Sequence, residues 1–224
     1  MRKKEKPVMP IKKREDVHRV AEYLRERYQS GEMLRIMFLT GCNTGLTAGE
    51  LRNLKIETLL NQDSFTVWDD TAKKARQVYI NTALKQEIKR YIYEPKITNK
   101  ICGDKNVEII KLNMQDKSDF IFIGGQGAAV GVKYMHSVIS GACRNLGIKG
   151  NYGSLSMAKT FAFHVFQRTG DVNIVQSILM HSDRSLTMNY IYDRRSLRMA
   201  KRAINNGNPE NVEAAKNYFE INLI

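Results

Sequence analysis

Two neighbouring segments have the pattern of β-strands, whereas most of the remaining sequence has the pattern of helices. This contrast constrains the fold more than any other feature. Residues 64–69 (SFTVWD) and 75–80 (ARQVYI) are rich in β-branched and aromatic side chains, with polar residues between them. This pattern predicts a β-hairpin. Elsewhere, apolar residues recur at spacings of three and four, as between residues 17 and 24, which predicts helices. The expected fold class is mainly α with a small antiparallel β-sheet.

Apolar spacing and proline positions bound the individual elements. A first helix is expected to start after Lys12, and a helix over 83–93 is expected to end there because Pro95 disfavours helical backbone in the residue before it. Residues 119–123 predict a short strand. The polar, lysine-rich residues 96–118 are hard to assign to a helix or a strand and predict a mobile insert. The remaining segments expected to be helical are 134–146, 161–167, 172–180 and 186–192.

The charge balance favours a nucleic-acid partner. Lysine and arginine number 36 against 23 acidic residues, which leaves a formal net charge of +13. A field of one sign attracts a polyanion, so double-stranded DNA is the expected partner. A membrane partner is not expected, because no apolar run is long enough to span a bilayer and no signal-peptide pattern opens the sequence. The expected location is the cytoplasm, in association with the nucleoid.

The cysteines and glycines indicate no cofactor or metal. Cys42, Cys102 and Cys143 lie far apart without a CxxC pair, so neither a disulfide framework nor a zinc site is expected. The segment GGQG at 124–127 lacks the spacing and the Lys-Ser/Thr pair of a phosphate-binding loop, and we interpret it as a turn. With 42% hydrophobic residues, the chain is expected to form a single domain over residues 1–224.

Three motifs resemble those of a known family. LMHSDRSLTMNY places His181 nine residues before Tyr190. TGLTAGEL occupies residues 44–51, which we call the first box, and LSMAKTFA occupies residues 155–162, which we call the second box. Together they resemble the catalytic domain of the tyrosine recombinase (phage integrase) family, over roughly residues 8–192. The resemblance implies that family's mostly helical catalytic-domain fold with one small sheet.

The resemblance also implies catalytic roles. In the family, a tyrosine attacks a DNA phosphate beside a histidine, and the matching residues are Tyr190 and His181, with Tyr192 as an alternative nucleophile. A hairpin lysine acts as the general acid that protonates the departing oxygen. The matching residue is Lys73, eight positions before Asn81, where the family usually has proline.

The family's remaining catalytic residues are replaced. Thr47 stands where the first arginine follows Thr-Gly-Leu, and Ala158 and Leu155 stand where the second box has its arginine and its histidine. Such cations stabilise the charge that develops on the phosphate oxygens, and losing one arginine costs on the order of 10³ to 10⁵ in rate in phosphoryl-transfer systems. We therefore expect strand cleavage to be close to abolished and the former catalytic positions to be vestigial.

DNA contacts are expected at the hairpin and around the second box. The resemblance places Lys73, Lys74 and Arg76 near the DNA, whereas composition alone favours a solvated turn. The second box lies on a DNA-facing helix in relatives, which makes Ser154, Ser156 and Lys159 candidates for base or phosphate contacts.

The two best-matched residues have a less specific interpretation as well. Tyr190 and His181 are also assigned to the DNA-binding set by the resemblance. Without the surrounding boxes, a tyrosine that packs its ring on a helix and a histidine at the surface would be the ordinary expectation.

The two ends of the sequence carry separate expectations. Residues 1–9 are interpreted as a basic tail, too short to build the N-terminal core-binding domain that closes a clamp around DNA in typical family members. Residues 194–224 are interpreted as a helical tail, with Val212, Ala215 and Phe219 on one face. Residues 203–224 either dock on a neighbouring protomer on DNA, giving a homo-oligomer, or cap their own chain.

These observations predict a DNA-binding protein on a recombinase scaffold that has lost its chemistry, acting as a transcriptional repressor or regulator of a prophage or other mobile element. One alternative is a divergent active recombinase that recruits other cations. Another is an accessory structural subunit of a recombination complex.

Overall fold

The expected fold class is confirmed. The computed structural model describes residues 7–60, 63–69, 74–93, 96–98, 108–110, 120–124 and 127–192, and within these ranges the chain is mostly helical with two small antiparallel ladders. The helices are α1 (Arg14–Arg27), α2 (Gly31–Thr44), α3 (Ala48–Arg52), α4 (Ile56–Leu60), α5 (Thr82–Tyr93), α6 (Val132–Asn145), α7 (Leu155–Thr169), α8 (Val172–Leu179) and α9 (Arg184–Ile191).

The predicted hairpin is present. Strand β1 (Ser64–Asp69) pairs antiparallel with β2 (Lys74–Tyr79), and Val67 lies opposite Arg76. Side chains alternate between the two faces of such a ladder; Val78 is buried, whereas Trp68 is 56% exposed. Arg76 lies on the buried face, which is unusual for a charged side chain.

Two other segments differ from the prediction. Part of the 96–118 insert forms a ladder of β3 (Lys96–Thr98) with β4 (Glu108–Ile110), and the rest of the insert lies outside the described residues. Within 119–123, Phe120 and Ile123 make only isolated bridges, so the predicted strand is wrong. Its apolar residues Ile121 and Phe122 serve the core instead.

Helix α2 forms the centre of the core. It packs against α1, α5 and α7, and nearly all of its residues are buried. Its two threonines near the C-terminal end satisfy their hydroxyl groups locally: Thr40 and Thr44 donate to the carbonyls of Ile36 and Thr40 at 2.7 and 2.6 Å. Such back-bonding allows hydroxyl groups to be buried without an unpaired donor.

Glycine at position 45 fixes the exit from α2. Gly45 has φ 71°, in the left-handed region, and a Cβ at this position would lie 2.6 Å from Cδ1 of Phe161 and 2.8 Å from Cδ2 of Leu179. Both the backbone conformation and the close approach therefore require glycine. The contact holds the segment 45–47 against α7 and α8.

Helix α7 starts at Leu155, six residues before the predicted helix over 161–167. Most of its first two turns are buried, so the amphipathic spacing that marks a surface helix is missing there. The second box is therefore part of a central helix.

The structure also bears on the cysteines, on membrane-spanning helices and on metal ligands. Cys42 and Cys143 are buried free thiols, while Cys102, the tail 194–224 and residues 1–6 lie outside the described residues. None of the described helices is long and apolar enough to cross a bilayer. Among the described side chains, no group of histidine, cysteine, aspartate and glutamate is arranged to hold a metal ion.

Candidate functional site

His181 and Tyr190 lie in contact with each other. His181 precedes helix α9, and Tyr190 lies near the end of that helix. His181 follows Met180, which ends α8 in the left-handed conformation, and Asp183 caps α9 by accepting a hydrogen bond from the amide of Ser185. The two rings meet edge to face with centroids 4.6 Å apart. The nine-residue spacing therefore gives a real contact.

The His181 imidazole also contacts a second side chain on α9. Its Nδ1 lies 3.1 Å from the Thr187 hydroxyl oxygen, within hydrogen-bond distance. Both the imidazole and the Tyr190 ring are half-buried, and Tyr190 packs against the edge of the core. This geometry fits the packed tyrosine of the less specific interpretation.

Lys159 is the cation nearest to Tyr190 among the described contacts. Its side chain is buried, and Nζ donates hydrogen bonds to the carbonyls of Val8 at 2.9 Å and Asn189 at 2.8 Å. The same Nζ lies 5.5 Å from the centroid of the Tyr190 ring. Burial lowers the pKa of Lys159. The ammonium is thus committed to contacts within the chain.

The three replaced positions hold no cation. The Thr47 hydroxyl accepts a hydrogen bond from the Glu50 amide at 3.3 Å, and the Glu50 carboxylate accepts one from the Thr47 amide at 2.6 Å. This capping box stabilises the start of α3. Ala158 is buried within α7, and Leu155 is the first residue of that helix. Threonine at position 47 therefore has a structural role in place of the arginine's.

Sequence reasoning missed the burial of Arg76 and its ion pair with Glu50. Its Nη2 donates to both carboxylate oxygens of Glu50 at 3.0 Å and to the Gly45 carbonyl at 3.4 Å, and the side chain is 6% exposed. Its Nη1 is buried and has no hydrogen-bond partner among the described residues. A guanidinium from β2 therefore lies beside the segment that carries Thr47. An arginine at an inward position of the strand was the available signal.

The predictions for the hairpin residues therefore have different outcomes. The solvated-turn interpretation is wrong for Arg76, which is buried in an ion pair, and its DNA contact stays a prediction that this burial opposes. Lys74 begins β2, while Lys73 lies outside the described residues. DNA contacts by these two lysines stay predictions.

The serines in and just before the second box are buried, whereas base readout needs exposed side chains. Ser154 is buried, and Ser156 is fully buried with its hydroxyl accepting a hydrogen bond from the Gly153 amide at 3.1 Å. Side chains that read base edges must reach into a groove. Ser154, Ser156 and Lys159 are buried in the observed conformation, and their DNA contacts stay a prediction that this burial opposes.

Residues 13–196 match the profile described as the phage integrase family. A probable integrase/recombinase of Bacillus subtilis (strain 168), YoeC, is 28% identical over 184 residues, which cover 82% of this chain and 89% of YoeC. The tyrosine recombinase XerD of Oceanobacillus iheyensis is 23% identical over 85% of this chain and 60% of XerD. For XerC of Thermodesulfovibrio yellowstonii, the values are 21%, 67% and 46%. The chain thus spans about half the length of these two Xer relatives.

Solved structures share the fold. The XerA recombinase matches with a TM-score of 0.64 at 20% identity, over 90% of this chain and 68% of XerA. XerH, solved with a palindromic difH substrate after cleavage, matches with a TM-score of 0.58 at 18% identity, over 87% and 52%. The Tn1549 transposon integrase, solved with transposon right end DNA, gives 0.56 at 14% identity, over 92% and 69%.

Proposed function

Because the chain belongs to the phage integrase family, we propose that it binds double-stranded DNA and does not cleave it on its own. The protein acts as a regulator, in the manner of a repressor, of a prophage or another mobile element. A recombinase scaffold that holds DNA without cutting it blocks other proteins from the bound site. Regulation is the role that such occupancy supplies.

The main observation behind this proposal is that the His181–Tyr190 pair is present, whereas the arginines that contact the phosphate oxygens in the family are replaced. The rings of His181 and Tyr190 are 4.6 Å apart, yet Thr47 and Ala158 stand where the family has arginines. Without those cations, negative charge on the non-bridging oxygens is not neutralised in the transition state. Lys159 does not supply the missing charge in the observed conformation, because its ammonium is bound by the carbonyls of Val8 and Asn189.

DNA as the partner is supported by charge and by relatives. The net charge of +13 favours binding to a phosphate backbone, with an affinity that falls with salt. XerH and the Tn1549 integrase, which share the fold, were solved with DNA. Localisation with the nucleoid follows from this proposal.

The decisive experiment separates binding from cleavage. The protein is first used to capture genomic fragments, and a captured site is then rebuilt as a nicked suicide duplex that would trap a covalent phosphotyrosine. We expect a gel shift without a denaturation-resistant adduct, and the same result with Tyr190→Phe. An adduct that forms with the unchanged protein and disappears with Tyr190→Phe overturns the proposal. Captured sites that overlap promoters support the regulatory role, and a single attachment-like site argues against it.

One observation favours a second candidate, a divergent active recombinase. The Arg76 guanidinium lies against Gly45 and Glu50 with Nη1 unpartnered among the described residues, so a cation is present close to the position of the lost first arginine. In this candidate, DNA binding releases Arg76 from Glu50 towards the phosphate. It predicts an adduct on the suicide duplex that Arg76→Lys weakens far more than it weakens binding.

A further inference from the structure

The segment before α1 is attached to the fold along the length of the second box. Residues 7–12, which we call the strap, run beside α7. The Ile11 amide donates to the Thr160 hydroxyl at 2.9 Å, and the Ile11 carbonyl lies 3.2 Å from Nε2 of His164. Ile11 is fully buried. Residues 7–9 therefore belong to the folded domain, although residues 1–9 were expected to be a basic tail.

Two further bonds fix the other end of the strap. The Met9 amide donates to the Asn151 carbonyl at 2.8 Å, and the Val8 carbonyl accepts from Lys159 at 2.9 Å. A backbone held at four points pays little ordering entropy when a ligand binds beside it, because its conformation is already fixed. The strap therefore offers a preorganised backbone surface beside which a ligand can bind.

An open groove of about 420 Å³ lies between this strap, the start of α1 and the loop before α7. Its charged lining is mostly basic. Four cations face a single carboxylate, and its charged residues are Lys12, Lys13, Asp16, Arg19 and Lys149. We call it the strap groove.

The single carboxylate is already neutralised. Nη1 of Arg19 donates to the Asp16 carboxylate at 2.8 Å, and Nη2 donates to the Leu146 carbonyl at 3.0 Å. Lys12 extends towards α7, with Nζ 5.7 Å from the centroid of the Phe163 ring. Lys13 and Lys149 are exposed and form no ion pair with any described residue. The groove therefore carries an excess of positive charge.

The strap also connects the groove to the helix that carries Tyr190. The lining of the groove ends at Tyr152, three residues before the start of α7. The strap that walls it is bonded to Lys159, which in turn contacts the residue before Tyr190. One chain of contacts therefore runs from the groove to the residue before Tyr190.

We propose that the strap groove binds the phosphodiester backbone of duplex DNA, with Lys13 and Lys149 as its phosphate contacts. This inference rests on the proposed DNA-binding function and assigns it a surface outside the three family motifs. Backbone contacts of this kind hold a protein in register without reading sequence. They also replace contacts that the buried Ser154, Ser156 and Lys159 do not offer in the observed conformation.

The test compares two variants with the same change in charge. Lys13→Gln/Lys149→Gln removes two groove cations, and Lys89→Gln/Lys133→Gln removes two exposed cations from α5 and α6. Affinity for a duplex without a specific site is measured over a series of salt concentrations. We expect the groove variant to lose about 1.8 from the slope of log affinity against log salt, or about 0.9 for each lost contact, and the control variant to keep its slope. Equal slopes in both variants overturn the inference.

A crosslinking experiment locates the contact directly. Lys149→Cys and, as a control, Lys133→Cys are labelled with a photoactivatable azide and irradiated with duplex DNA, and the unsubstituted protein reports background labelling. We expect a DNA crosslink from position 149 only. Binding of duplex by the unchanged protein without that crosslink overturns this inference alone. If the unchanged protein binds no duplex, or its groove crosslinks poly-glutamate in preference to DNA, the proposed function fails together with it.

Discussion

Lys159 donates a hydrogen bond to the carbonyl of Asn189, the residue before Tyr190, at a distance of 2.8 Å. The same ammonium holds Val8, 151 residues away in sequence. One buried side chain therefore joins the strap to the tyrosine helix α9. The position of Tyr190 and the path of the strap depend on each other through this contact.

Replacing Lys159 by methionine should loosen both elements. The side chain keeps its length, but the carbonyls of Val8 and Asn189 lose their donor, which costs about 1 to 3 kcal/mol when such groups stay buried. We expect a lower midpoint of chemical denaturation and faster trypsin cleavage after Lys12 and Lys13. Lys133→Met, an exposed change on α6, serves as the control. Unchanged cleavage in Lys159→Met contradicts the coupling.

Breaking the ion pair of Arg76 and Glu50 should destabilise the hairpin. Removing one partner of such a pair costs about 3 to 5 kcal/mol, because the other charge stays buried. Arg76→Met should therefore destabilise strongly, and adding Glu50→Gln should recover part of the loss. Urea unfolding of the single and double variants measures the coupling. Additive losses would show that the two side chains do not interact.

A glycine comparison tests the packing of the first box. Gly45 and Gly170 both have positive φ, 71° and 69°, but a Cβ at position 170 meets no atom within 4 Å. Gly170→Ala should cost about 1 to 2 kcal/mol from backbone conformation alone. Gly45→Ala should cost clearly more, since its Cβ overlaps Phe161 and Leu179. Equal losses of unfolding free energy would contradict the close approach of this segment to α7.

Stability should fall at alkaline pH, in part through Tyr91. Burial raises the pKa of Tyr91 well above its ordinary value of 10.0. Above about pH 10, the unfolded chain releases this proton while the folded chain retains it, so rising pH favours unfolding. Tyr91→Phe should make the decline between pH 10 and 11 shallower, as roughly set by that ordinary pKa. Tyr93→Phe, at a position 65% exposed, should leave the decline unchanged; equal slopes for both variants contradict the prediction.

The C-terminal tail lies outside the described residues, and its role stays a prediction. Truncation after Arg202 removes Val212, Ala215 and Phe219. If the tail docks on a neighbouring protomer, the truncated protein should keep its melting temperature and its affinity for one site, but lose cooperativity between two adjacent sites. A tail that caps its own chain would give the reverse, with a lower melting temperature and intact cooperativity. Binding to one-site and two-site duplexes distinguishes the two outcomes.

Local patterns in the sequence determined the elements whose signals are themselves local. Alternating β-branched residues marked the hairpin, and apolar spacing marked α5, α8 and α9. The motifs also located His181 and Tyr190, because a fixed spacing across one turn and one short helix leaves little freedom in how the two rings meet. The replacements at positions 47, 155 and 158 are likewise visible in the sequence alone.

Only the tertiary structure decided which side chains remain available for binding. Periodicity did not reveal the start of α7, since a helix packed on most of its sides has no polar stripe to mark it. The ion-pair partner of Arg76 lies 26 residues away on α3, and the carbonyl partners of Lys159 lie 30 and 151 residues away on α9 and the strap. A sequence pattern specifies a residue's neighbours along the chain, whereas burial and charge pairing depend on neighbours that only the folded core brings together.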